Sequence, residues 1–240
     1  MRTSGVLAHN YMTRFSIITY NLLADCYVRV PGQQWNAFAH CAEQDLIFEN
    51  RIKKIQNHLL EHNADIVCLQ EVMYEKRIRD EDGEGKWGLP IWMDVFKEKG
   101  YECVMQGLTQ KEWEKNSQRN EKMVGKPIPT GVASLYRSET WEEIEPSKHG
   151  SGSGSVLFLK NKRCPSLELT VGNTHLVGDP NKSDSQSQQL QGLQKNMAKR
   201  PQGTRIVCGD MNGDCAPDGA VGSWIAEQVR GSEEYLISNK

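Results

Sequence analysis

The chain has 240 residues, of which 38% are hydrophobic and 25% are charged, and this composition excludes a collagen-like or low-complexity protein. At one domain per roughly 150 residues, the length fits one large domain or two small ones. The 29 Lys and Arg residues are nearly balanced by 31 Asp and Glu residues. Because the chain has no overall positive field, a polyanionic partner would have to meet a local basic patch or a bound metal.

The cysteines and the N-terminus indicate an intracellular protein. The seven cysteines are odd in number and form no C-x-x-C pair, and several lie in apolar runs, which is typical of reduced thiols in a core. Residues 1–14 are interpreted as an N-terminal extension without the apolar stretch of a secretory signal. No window approaches about 18 consecutive apolar residues, so we expect no membrane partner.

Strands and helices are predicted to alternate over residues 15–240, which favours an α/β domain. Residues 15–20 are β-branched and aromatic, typical of a buried strand, and apolar residues recur at helical spacing over 49–61. Further strands are predicted at 64–69, 101–105, 132–136, 156–159, 167–171 and 205–207, with helices at 89–99 and 185–198 and a hairpin loop at 150–154.

Polar side chains follow four of the predicted strands at the point where each strand ends. They are Asn21 in YNLLAD, Glu71 in CLQEV, His175 in NTHL, and Asp210 with Asn212 in CGDMN. Proteins of the α/β class place binding groups at such strand ends, because the sheet fixes the backbone while the side chains converge. Carboxylate and amide oxygens are ligands suited to a hard, hydrated cation such as Mg²⁺.

These segments, together with GVASLYR, resemble in their order the endonuclease/exonuclease/phosphatase superfamily, and within it the branch that holds the carbon catabolite repressor deadenylase, nocturnin and angel. The resemblance extends from residue 15 to about residue 225. It implies a four-layer α/β sandwich, in which two packed mixed β-sheets are flanked by helices. It also implies a phosphodiesterase site at one end of the sheets that depends on Mg²⁺, with Mn²⁺ as an alternative cation.

The resemblance implies a role for each residue at these strand ends. Glu71 would be the principal metal ligand, and Asn21 beside it would hold a phosphate oxygen or a water of the metal. Asp210 would orient or deprotonate the attacking water, and Asn212 would fix that geometry. His175 would donate a hydrogen bond to a nonbridging phosphate oxygen as charge develops. The activity implied is 3′–5′ exoribonucleolytic removal of poly(A) from single-stranded RNA.

The chain departs from the superfamily pattern after Asn212. Family members end with a further Asp and His, whereas here no His follows His175 and only 28 residues follow Asn212. These residues suffice for one more helix but not for the missing strands. We therefore expect the catalytic domain over 15–240 to lack its C-terminal strands, as a fragment or a truncated gene product.

Two alternatives to the deadenylase-like activity stay open. The first is a nucleotide or dinucleotide phosphatase of the nocturnin type. The second is a catalytically dead module that binds RNA or a protein and lacks the terminal Asp-His pair. Few residues precede the first strand, so we expect no leucine-rich repeat for docking to a deadenylase scaffold.

The segment 110–126 is a candidate for RNA contact. Lys111 and Arg119 contribute to its local excess of positive charge, and Trp113 between them could stack a base. A solvated mixed-charge loop or helix is the more frequent source of such a pattern.

A zinc-peptidase motif competes with the metal site proposed at the strand ends. His58, Glu61 and His62 match H-x-x-E-H. The same helix is already explained as the amphipathic connection between two strands, and we favour that interpretation.

Overall fold

The protein is described as a computed structural model over residues 14–30, 38–77, 85–144, 150–151, 154–179, 181–200, 202–213, 216, 219–230 and 235–239. Its strands are β1 (Ile17–Asn21), β2 (Ile66–Met73), β3 (Glu75–Arg77), β4 (Lys86–Gly88), β5 (Tyr101–Met105), β6 (Thr130–Arg137), β7 (Trp141–Glu143), β8 (Gly150–Ser151), β9 (Gly154–Asn161), β10 (Glu168–His175), β11 (Thr204–Asp210) and β12 (Tyr235–Asn239). Its helices are α1 (Asp25–Val28), α2 (Glu43–Leu46), α3 (Phe48–His62), α4 (Asp94–Glu98), α5 (Gln110–Val124), α6 (Ser183–Met197) and α7 (Ala220–Arg230), and a 3₁₀ turn at Ile91–Met93 precedes α4.

Two mixed sheets form the middle of the fold. The first has the order β1-β2-β6-β5, and the second has the order β12-β11-β10-β9-β7, with β8 paired to β9. The pairs β1/β2 and β10/β11 are parallel, whereas β2/β6 and β10/β9 are antiparallel. The parallel pair β1/β2 needs a long crossover, which α1 to α3 supply. A separate two-stranded hairpin joins β3 to β4.

Three apolar clusters show that the fold has four layers. One cluster lies between the first sheet and α3, α4 and α5, and a second fills the space between the two sheets. The third lies between the second sheet and helices α6 and α7. The order of layers is therefore helix, sheet, sheet, helix, and the predicted four-layer α/β sandwich is confirmed. None of the described helices is long and apolar enough to cross a membrane.

The predicted elements agree with the observed ones in type, and most differ only at their ends. The helix predicted at 49–61 is α3, and the segment 110–126 contains the helix α5, with a capping box between Thr109 and Glu112 at its start. The hairpin predicted at 150–154 pairs Ser151 with Gly154. The helix predicted at 89–99 is shorter, because the first turn is 3₁₀.

The end of the chain differs from the prediction. The one further helix predicted after Asn212 is α7, and it is followed by β12, which pairs parallel with β11 from Arg205 to Gly209. The sequence analysis does not predict this strand, although the run Tyr235–Asn239 contains apolar residues that suit the edge of a sheet.

Candidate active site

The residues predicted to carry chemistry lie at one end of the two sheets. Asn21 is the last residue of β1, His175 is the last of β10, and Asp210 is the last of β11. His175 and Asp210 are opposite each other in the parallel ladder, whereas Glu71 lies within β2. A cavity of about 210 Å³ opens between the sheets here, lined by Thr19, Tyr20, Asn21, Gln70, Gly209 and Asp210.

Glu71 lies at an irregularity in β2. The register of β2 against β6 shifts between Leu69 and Val72, and Glu71 has a φ of 57°. Only a small fraction of non-glycine residues adopt a left-handed conformation, and in a strand it breaks the alternation of side chains. The bulge therefore aims the Glu71 carboxylate toward the end of the sheet rather than into the core.

The amide of Asn21 joins carboxylates from the two sheets. Its Nδ2 donates to Glu71 Oε1 at 2.9 Å and to Asp210 Oδ2 at 2.8 Å. Its Oδ1 accepts from the backbone N–H of Leu23 at 2.8 Å, which fixes the orientation of the amide. One side chain thus holds two acidic groups within reach of a single small ligand.

The backbone after β1 also holds Glu71. The N–H of Ala24 donates to Glu71 Oε2 at 2.8 Å. Leu23 before it has a φ of 53°, so the chain turns sharply between Asn21 and Ala24. Both Glu71 oxygens therefore have a neutral donor, one from a side chain and one from the backbone.

A cation fits the Glu71 carboxylate. Its side chain is only 12% exposed, and the one basic group within 4 Å in the described part of the chain is His175, whose Nε2 lies 3.8 Å from Oε1. Buried carboxylates are as a rule paired or bound to a metal. The described residues contain no group of three or more His, Cys, Asp and Glu side chains arranged to hold a metal. The single Glu71 carboxylate nevertheless suits Mg²⁺, which is usually bound by one or two carboxylates and keeps several waters.

His175 and Asn212 form the other side of the site with Asp210. The backbone N–H of Asn212 donates to Asp210 Oδ1 at 3.0 Å, and Asn212 itself has a φ of 44°. Asn212 Nδ2 donates to Leu176 O at 3.0 Å and lies 2.9 Å from His175 Nε2. With the amide fixed by the Leu176 carbonyl, His175 Nε2 accepts a hydrogen bond here. Donation from Nε2 to a phosphate oxygen therefore requires a proton on this nitrogen and the loss of its hydrogen bond from Asn212.

Gly209 allows Asp210 to approach β10. Its φ is 150°, and a Cβ at this position would lie 2.0 Å from Thr174 O. No side chain fits such a contact, so glycine is required where β11 turns toward the site.

A buried pair of amides joins the two sheets directly beneath the site. Gln70, next to Glu71, donates from Nε2 to Asn173 Oδ1 at 2.8 Å, and both side chains are almost inaccessible to solvent. Asn173 Nδ2 in turn contacts the carbonyls of Leu69 and Ala133 in the first sheet. Sequence reasoning missed this pair, although both residues belong to the quoted segments CLQEV and NTHL.

Cys26 lies behind Glu71 but does not act as a nucleophile. Burial, assisted by the Glu71 carboxylate, raises the pKa of the Cys26 thiol to about 12. At neutral pH the thiol is protonated, and it packs as an apolar group against Val124.

One of the candidate RNA-binding residues is buried. Trp113 is fully buried in α5, 4.1 Å between ring centroids from Tyr74, so the prediction that it stacks a base is wrong. Lys111 and Arg119 lie on the exposed side of the same helix, and their contact with RNA stays a prediction.

The H-x-x-E-H segment lies on α3. The rings of His58 and His62 contact each other edge to face with centroids 4.6 Å apart, and Tyr20 lies against His58. Ile52, Ile55 and Leu59 form the buried face of this helix, as the amphipathic interpretation predicts.

Comparison with known proteins agrees with the motif order. The sequence profile of the Endonuclease/Exonuclease/phosphatase family matches residues 18–226. The mouse protein angel homolog 2 is 24% identical over 232 residues, which cover 89% of this chain and 37% of that protein. Human 2′,5′-phosphodiesterase 12 is 38% identical over 55 residues, which cover 23% of this chain and 9% of that protein. The chain thus spans well under half the length of the curated relatives that it matches.

Solved structures show the same fold. The crystal structure of ANGEL2, described as a 2′,3′-cyclic phosphatase, has a TM-score of 0.61 and 21% identity, covering 89% of this chain and 56% of that one. The catalytic domain of human nocturnin with bound sulfate has a TM-score of 0.59 and 17% identity, covering 88% of this chain and 68% of that one.

Proposed function

Because the chain belongs to the endonuclease/exonuclease/phosphatase family, whose members are hydrolytic phosphoesterases, we propose that it hydrolyses the 3′ end of single-stranded RNA in a Mg²⁺-dependent reaction, with poly(A) as substrate. The observation that carries this proposal is the Asn21 amide, which holds Glu71 and Asp210 together from two different sheets. Single-stranded RNA suits an open strand-end site, because its phosphates are accessible and its bases can splay out.

Glu71 would hold the Mg²⁺, with Asn21 as its neighbour and waters completing the shell. The ion, with Mn²⁺ as an alternative, would supply positive charge against the phosphate oxygens. The nearly buried Glu71 carboxylate is suited to this role, because His175 is the one basic group among the described residues within 4 Å of it.

Asp210 would orient the attacking water and accept its proton. Its Oδ1 is held by the backbone N–H of Asn212 and its Oδ2 by Asn21, so the carboxylate is fixed before substrate arrives. Asn212 would keep this geometry. With a proton on Nε2, released from Asn212, His175 would donate to a nonbridging phosphate oxygen where negative charge develops.

A second candidate reaction is hydrolysis of a 2′,3′-cyclic phosphate at an RNA end. The observation favouring it is the likeness to ANGEL2, which covers 89% of this chain. The same residues would serve, because a cyclic phosphodiester also needs a cation, a positioned water and a donor to the phosphate oxygen.

The test incubates the 240-residue chain with each of three substrates in the presence of Mg²⁺. They are 5′-labelled oligo(A) with a free 3′ hydroxyl, the same oligomer ending in a 2′,3′-cyclic phosphate, and a nicotinamide dinucleotide with a terminal phosphate. We expect stepwise shortening of the first, with the rate lowered on the order of 10²- to 10³-fold in Glu71→Gln. Glu102→Gln, which changes an exposed glutamate in β5, is the matched control and should match the wild type.

Other outcomes select the alternatives. Removal of the cyclic phosphate without shortening would identify the second candidate, and release of phosphate from the dinucleotide alone would identify a nucleotide phosphatase. Tight binding of labelled oligo(A) with no turnover of any substrate would show a binding module without catalysis.

A further inference from the structure

The turn between β1 and α1 is held from outside by an arginine. Arg51, in the first turns of α3, donates from Nη1 to Leu22 O at 2.9 Å and to Leu23 O at 2.8 Å. Its guanidinium also lies over the Phe48 ring, with Cζ 5.6 Å from the ring centroid. One cationic group therefore fixes two successive carbonyls of a turn whose second residue has a positive φ.

This turn leads directly to the proposed metal ligand. Leu23 N–H donates to Asn21 Oδ1, and Ala24 N–H donates to Glu71 Oε2, so two successive amides of the turn hold the two side chains that face each other. Leu22 O belongs to the same peptide unit as the Leu23 N–H, and Leu23 O belongs to the same unit as the Ala24 N–H. A rotation of the Leu23–Ala24 peptide would remove both the arginine contact and the donor to Glu71.

The guanidinium has no competing ion pair in the described part of the chain. Arg51 Nε and Nη2 are buried without a hydrogen-bond partner there. Burial lowers the pKa of Arg51, and the nearby Asp25 and Glu71 carboxylates oppose that shift. Arginine remains charged at neutral pH, so its charge stays close to Glu71 while its hydrogen bonds are directed to the backbone.

We infer that Arg51 is a positioning residue for Glu71, acting through the Leu22–Ala24 turn to set the geometry in which Glu71 meets a divalent cation. The inference rests on the proposed metal-dependent function. Residues that orient a metal ligand without touching the metal commonly change metal affinity by about 10- to 100-fold when replaced.

The experiment compares Arg51→Gln and Arg51→Lys with Arg137→Gln. Arg137 is the matched control, because its guanidinium also lies over an aromatic ring, that of Tyr101, with a buried Nε that has no partner among the described residues. Two quantities are measured on the intact chain: hydrogen exchange at the Leu23 and Ala24 amides without metal, and Mn²⁺ affinity by calorimetry.

We expect exchange at Ala24 to rise at least about tenfold in Arg51→Gln, and Mn²⁺ affinity to fall by about 10-fold or more. Arg51→Lys should lie between Arg51→Gln and the wild type, because an ammonium retains the charge but not the fork of donors. Arg137→Gln should leave both quantities unchanged. Unchanged exchange in Arg51→Gln, or an equal loss in Arg137→Gln, would overturn the inference.

The two readouts separate this inference from the proposed function. Faster exchange in Arg51→Gln, with Mn²⁺ bound by wild type and lost by the variant, supports both. Wild-type chain that binds no Mn²⁺ overturns the metal-dependent function and the metal part of the inference together. Intact Mn²⁺ binding in Arg51→Gln despite faster exchange overturns the inference alone.

Discussion

The two sides of the site are built in different ways. The Glu71 side, formed by Asn21, Glu71 and the Leu22–Ala24 turn, depends on the backbone: a bulge aims the carboxylate and an amide N–H of the turn holds it. The Asp210 side, formed by His175, Asp210 and Asn212, depends on a regular parallel ladder that places His175 opposite Asp210.

The difference indicates a division of work between the two sides. Each carboxylate has one oxygen on the Asn21 amide and the other on a backbone N–H, so the hydrogen-bond donors are alike. The proposed roles follow the placement instead: Glu71 lies on a bulge of the first sheet, and Asp210 lies at a strand end of the second. The Asn21 amide is the contact by which each side sets the position of the other.

The largest expected effect tests this division directly. Glu71→Gln and Asp210→Asn should each lower kcat on the order of 10²- to 10³-fold. Only Glu71→Gln should also raise the Mg²⁺ concentration for half-maximal activity, by about tenfold or more, because Asp210 acts on water in this scheme. Rates measured over a Mg²⁺ series give both quantities, and an equal rise in the two variants would place the cation between the sides instead.

A smaller effect tests whether the two sides move as one unit. Gln70→Leu or Asn173→Leu leaves buried partners unsatisfied, which should cost about 1–3 kcal/mol of unfolding free energy. Because the two amides bond to each other, the double variant should lose less than the sum of the single losses. Urea unfolding measures these energies, with Gln118→Leu, an exposed glutamine of α5, as the control. If the two losses of unfolding free energy simply add, the Gln70–Asn173 hydrogen bond does not couple the sheets, and other contacts join them.

The smallest effect concerns α5, which belongs to neither side. Replacing both Lys111 and Arg119 by Gln should raise KM for oligo(A) about two- to threefold at low salt. It should also reduce the salt dependence, by about 0.7 in the logarithmic slope for each RNA phosphate that the helix no longer neutralises. The paired control is Arg163→Gln with Lys195→Gln, both exposed and outside α5. Equal effects in the two pairs would show that α5 contributes only general charge.

Much of this arrangement was predictable, because apolar strands end at polar residues wherever a sheet delivers chemistry. Asn21, His175 and Asp210 lie at strand ends as expected. The bulge at Glu71 was not predictable, since CLQEV has the composition of an uninterrupted strand and the shift arises from pairing with β6. The Gln70–Asn173 hydrogen bond likewise depends on how the sheets stack, which no local pattern encodes.

The prediction that Trp113 stacks a base was wrong for a different reason. The buried face of α5 includes Ser117 and Asn120, whose side chains bond the carbonyls of Pro127 and Ile128, so this face does not look apolar in the sequence. The T-x-x-E signal at Thr109 would have identified the helix, and its period would then have placed Trp113 on the same face as those residues.

The hydrogen bond from Asn21 to Asp210 spans 189 positions of the chain. Contacts between residues so distant form slowly, because the entropy of closing the intervening loop is lost before the contact is gained. The site is therefore a late product of folding: a nascent chain that has emerged only as far as β10 contains Asn21, Glu71 and His175 but no partner to complete them. The Asn21 amide therefore joins the two sides of the site only after β11 has paired with β10 and the two sheets have packed together.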